Sequence, residues 1–113
     1  MSESAIPFSV SVHADDLAVV ASIAGELDLA TGPTVKDNLS PFLGRRPQVV
    51  FELEQVAFMD SAGLESLFDA VQNHESITFR NPSWPVRRIV DLLELTVSID
   101  ESAREVAQMR RAR

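Results

Sequence analysis

Phe8, Val10 and Val12 alternate with Ser9, Ser11 and His13, the period of two that a half-buried strand produces. Ala14-Asp15-Asp16 reads as a turn, and the run from Leu17 to Ala24 is then almost wholly apolar. That run predicts a second strand, ending at Gly25 and buried on both faces, paired with the first as a hairpin. Thr31 before Gly32-Pro33 marks a helix start, with Thr31 near the cap and Pro33 in the first turn. Val35, Leu39 and Phe42 continue at helical spacing until Gly44 and Pro47 stop the segment. Val49, Val50, Phe51 and Leu53 predict a third strand, and Leu64, Leu67, Phe68 and Val71 a helix from Ala62 to about His74. A short strand over Ile77 to Phe79 leads to a rigid loop, Asn81-Pro82-Ser83-Trp84-Pro85. Val86, Ile89, Val90 and Leu93 predict a third helix, Val97 to Ile99 a last strand, and Glu101 to Arg111 a terminal helix.

The order is ββαβαβαβα. After the opening hairpin, strands and helices alternate, which predicts an α/β fold with a mixed, mostly parallel sheet and helices packed against it.

The chain has 113 residues and shows no internal repeat or linker, so one domain over 1–113 is expected. The absence of cysteine removes disulfides, thiolate zinc sites and cysteine nucleophiles together. Asp plus Glu number 17 against 10 for Lys plus Arg, a net charge of −7, which disfavours a nucleic-acid partner. The small basic cluster of Arg110, Arg111 and Arg113 does not reverse that balance. Apolar runs such as Leu17 to Ala21 are too short to span a bilayer, and Met1 to Pro7 is polar with Glu3. A cytoplasmic protein with no membrane insertion is the expectation.

Enzyme templates do not fit. The chain contains no G-x-G-x-x-G, no G-x-x-x-x-G-K-[ST] and no H-E-x-x-H. His13 and His74 are isolated, so neither a metal site nor a cofactor is expected, and a triad drawn from Ser61, His74 and an Asp lacks a nucleophile elbow.

One segment breaks ordinary patterning: Phe58-Met59-Asp60-Ser61-Ala62-Gly63-Leu64, between the third strand and the second helix. Open α/β sheets place their functional crevices at such junctions. Asp60 or Ser61 could cap the helix and do nothing else. Alternatively, Ser61 stands exposed at a helix start, where an attached phosphate would meet the positive end of the macrodipole. Gly25-Glu26-Leu27-Asp28 is the second such segment. Asp28 either belongs to a helix-capping turn or places a carboxylate on the same rim as Ser61.

Ile23-Ala24-Gly25-Glu26-Leu27-Asp28, then Val56-Ala57-Phe58-Met59-Asp60-Ser61-Ala62-Gly63-Leu64, resemble the anti-sigma factor antagonists of the STAS domain family. Asn81-Pro82-Ser83 followed by Val86 to Leu95 is similar to that family's late helix, and the resemblance covers about residues 8–107. It implies a bacterial partner-switching protein. The unphosphorylated antagonist binds an anti-sigma factor that is also a serine kinase, phosphorylation releases it, and a phosphatase resets it. The position matching the phosphorylated serine is Ser61, and Asp28 matches the acidic position beside it. Asp28, Asp60, Ser61, Ala62, Gly63, Leu64 and Glu65 are the implied partner-binding residues. Ala62 stands where many members carry a second hydroxyl, and Glu65 where many carry a small residue. Those departures fit an alternative, a STAS subunit regulating another assembly such as a lipid-transport ABC complex.

Overall fold

The computed structural model describes residues 6–44, 48–71 and 76–101. Strands β1 (Ser9–Ala14) and β2 (Ala18–Leu27) form the antiparallel hairpin, with Val10 opposite Ile23 and Val12 opposite Ala21. Asp15 closes it, its carboxylate accepting the Leu17 and Ala18 N–H groups, each at 2.8 Å. The chain continues through α1 (Gly32–Leu43), β3 (Gln48–Met59), α2 (Ser61–Ala70), β4 (Ser76–Arg80), α3 (Trp84–Leu92) and β5 (Ser98–Asp100). The strands lie in the sheet in the order β1-β2-β3-β4-β5, and every pair after the hairpin is parallel. This is the mixed, mostly parallel sheet that the alternation of elements predicts.

Parallel neighbours need crossovers of one hand, and moving steadily in one direction along the sheet puts the crossing helices on one face. Val35 and Leu39 of α1, Leu64 and Leu67 of α2, and Val86 and Val90 of α3 accordingly join a single core with Val19, Ala21, Ile23, Val49, Phe51 and Leu53. Phe79 anchors it, edge-on to Phe51 and tilted against Phe68, with ring centroids 6.1 Å apart in both pairs.

Three sequence expectations need correction. β2 is fully buried on one face only: Val19, Ala21, Ile23 and Leu27 face the helices, while Val20, Ser22 and Ala24 are half-buried. β3 runs on to Met59, well beyond Leu53, because two bulges break its period. Ser22 pairs with Glu52 but Ala24 with Gln55, and Gly25 with Val56 but Glu26 with Phe58. Its inward positions therefore become Leu53, Val56 and Met59, spaced by three, which does not read as a strand. Finally, α3 starts at Trp84 with Pro85 in its first turn, so the rigid loop is shorter than predicted. Helix α2 ends at Ala70; His74 and the terminal helix expected up to Arg111 lie outside the described residues, as do Arg110, Arg111 and Arg113.

Candidate functional site

β2 and β3 are parallel and end in register, Leu27 beside Met59, so the loops that follow emerge side by side. The first holds Asp28 in a compact turn. Its carboxylate accepts the Ala30 N–H at 3.0 Å and the Thr31 N–H at 3.1 Å. The Thr31 hydroxyl donates to the Glu26 carbonyl at 2.9 Å and accepts the Asp28 N–H at 3.0 Å. Thr31 occupies the cap position of α1, yet its side chain ties the turn together and makes no capping bond to the helix. The Asp28 carboxylate thus closes the turn without capping α1, and it lies on the end of the sheet from which α2 starts.

In the second loop the two adjacent polar residues separate. Asp60 is the cap of α2: its backbone is extended and its carboxylate accepts the Gly63 N–H at 2.8 Å. Ser61 is the first helical residue and is exposed, and among the described residues its hydroxyl has no hydrogen-bond partner. Gly63 brings the two loops into contact. A Cβ there would sit 2.1 Å from the Leu27 carbonyl oxygen and 3.2 Å from the Asp28 nitrogen, so only glycine lets the first turn of α2 rest on the end of β2.

The rim is acidic. Glu26 and Glu65 are exposed, Asp28 and Asp60 half-buried, and neither 26–31 nor 60–71 contains a Lys or Arg. Glu65 lies one helical turn beyond Ser61 on the same face of α2. Two apolar side chains, Leu29 at 76% and Phe58 at 46% exposure, flank these carboxylates. Leu29 and Phe58 each follow an apolar residue at strand spacing, Leu27 and Val56, so periodicity gives no sign that the two are left exposed.

The STAS domain profile matches residues 9–109. This chain belongs to the STAS domain family. Among STAS proteins it is similar to an anti-sigma-B factor antagonist of Bacillus subtilis (strain 168), 29% identical over 100 residues, which is 85% of this chain and 92% of that protein. An anti-sigma factor antagonist from Mycobacterium paratuberculosis shares the fold with a TM-score of 0.70 at 23% identity, over 93% of this chain and 95% of that one. The Bacillus cell fate determinant SpoIIAA in its phosphorylated form follows at 0.62 and 19%, over 91% of this chain and 99% of that one.

Within this STAS fold the predicted contact residues do not all face outward. Ser61 and Glu65 are exposed, and Asp28, Asp60 and Ala62 are half-buried. Gly63 is buried under Leu27, and Leu64, 2% exposed, belongs to the core. Leu64 therefore cannot present its side chain to a partner, and Gly63 has none to present. Both shape the rim from beneath: one permits the close approach, the other anchors the helix.

Proposed function

We propose that this STAS chain is an anti-sigma factor antagonist controlled by phosphorylation of Ser61. The carrying observation is the position of Ser61: exposed, at the first residue of α2, one residue after the capping Asp60 and beside the Asp28 turn. The resemblance to an anti-sigma-B factor antagonist supports the same reading.

The chemistry follows from that position. Capping is done by Asp60, so modifying Ser61 breaks no bond that holds the helix. A kinase transfers the terminal phosphoryl group of ATP to the Ser61 oxygen, whose proton passes to a base or to water, and ADP leaves. The product adds a charge of about −1.5 to −2 to a rim that already carries four carboxylates and no cation of its own. A partner surface that fits a neutral hydroxyl would then bury an anion, which is costly unless a cation receives it. Binding in the unphosphorylated state and release after modification result, and a phosphatase restores the first state. In this reading the chain works in the cytoplasm, catalyses nothing itself and uses no cofactor.

Intact mass measurement with the anti-sigma kinase and ATP tests it. Wild type should gain one phosphate and Ser61→Ala none, while calorimetry should show Ser61→Asp binding more weakly and Ser61→Ala staying bound with ATP present. Equal modification of both proteins, or wild-type affinity in the Asp variant, would refute the switch.

A further inference from the structure

Helix α3 is amphipathic in an unusual sense. Its inner face buries Val86 and Val90, yet its outer face is not simply polar. Trp84, Arg88 and Leu92, four residues apart, lie in one row along it. Trp84 is 69% and Leu92 63% exposed, and with Arg87, Arg88 and Asp91 they line a groove of about 420 Å³. The Arg88 guanidinium lies 5.7 Å from the centre of the Trp84 ring. Arg87 is paired with the Glu101 carboxylate, whereas Arg88 has no carboxylate within ion-pair distance among the described residues. A cation with no carboxylate partner among the described residues, set between two large exposed apolar groups on a chain of net charge −7, is a composition that interfaces favour and ordinary surfaces avoid.

We infer that this face of α3 is a second contact region for the partner that reads Ser61, and that it receives an apolar segment carrying a carboxylate. The inference rests on the proposed function above. Position links the two regions. Ser83, just before α3, donates its hydroxyl to the Val56 carbonyl at 2.6 Å and its N–H to the Leu53 carbonyl at 3.3 Å. The helix thus starts against the last part of β3, which ends at the Asp60 cap. From Val56 to Met59 is about 10 Å of strand. An interface of ordinary size, roughly 800 Å² on each side, is wide enough to reach from the start of α3 to that cap. Charge selects the occupant. A second copy would bring two chains of net charge −7 together, whereas a carboxylate on a different protein can meet Arg88 without that repulsion.

The region lies off the phosphorylated rim, so its contribution should be independent of the switch. In calorimetry against the anti-sigma kinase, Trp84→Ala and Arg88→Glu should each weaken binding at least tenfold, and Arg88→Lys should retain most of it. Trp84→Ala combined with Ser61→Asp should show the product of the two single losses. Trp84 is the chain's one tryptophan, so 5-fluorotryptophan labelling gives a single fluorine resonance. Its solvent isotope shift should be present in the free protein and vanish in the complex. Wild-type binding alongside unchanged affinity in both variants overturns this inference and leaves the proposed function standing. No binding by wild type overturns both. An isotope shift already absent from the free monomer means that the chain covers its own groove. One lost with rising concentration, as sedimentation shows dimers, means that a second copy fills it. Either result overturns the inference.

Discussion

Asp60 and Ser61 divide two tasks for which neighbouring polar residues at a helix start compete. The carboxylate of Asp60 takes the Gly63 N–H, and the hydroxyl of Ser61 is left in solvent. Replacing Asp60 by Ala should therefore cost about 1 kcal/mol, and replacing it by Asn much less, as read from urea unfolding midpoints. Ser61→Ala should leave the midpoint nearly unchanged, which separates the cap from the proposed modification site in one experiment. Glu65→Gly removes a like charge one turn from the phosphate, worth a few tenths of a kcal/mol, but places Gly in a helix at a cost of about 1 kcal/mol. Initial phosphorylation rates should stay level or rise in Glu65→Gly and fall in Asp28→Asn, whose Asx turn can still form. A slower but folded Glu65→Gly would make Glu65 a partner contact.

Elements show where reading the sequence reaches its limit. The β1–β2 hairpin was legible because Val10 and Val12 alternate with Ser9, Ser11 and His13, and because Asp15 can close the turn locally. The last part of β3 was not, since its bulges move the inward positions to Leu53, Val56 and Met59. For the site, Asp60, Ser61 and Asp28 were legible from turn and cap chemistry, whereas the exposure of Leu29 and Phe58 beside them becomes visible only once the sheet brings the loops together. Gly63 is a case of the second kind. Nothing in its neighbours shows that the Leu27 carbonyl will lie where a Cβ would be, yet that contact positions α2. Gly63→Ala should lower stability by about 1–3 kcal/mol through overpacking against rigid backbone, measured by thermal or urea unfolding. Slower modification of Ser61 should accompany it, because the helix start must move away from Asp28.

For the molecule as a whole, the alternation of strands and helices implied the layered architecture, but the order of strands in the sheet is a tertiary result. Phe79 on β4 meets Phe51 on β3 and Phe68 on α2, so it joins successive units of the chain. Phe79→Ala should cost about 3–5 kcal/mol and lower the unfolding midpoint cooperatively, with one transition seen by both far-ultraviolet dichroism and tryptophan emission. The sheet order β1-β2-β3-β4-β5 has a further consequence, for how the chain is made. Each of the five described strands after the first lies beside the strand synthesised just before it, so none of them must wait for a distant one to leave the ribosome. Successive docking onto a growing edge keeps loop closure short, and the exposed edge at each moment is covered by the next strand to emerge.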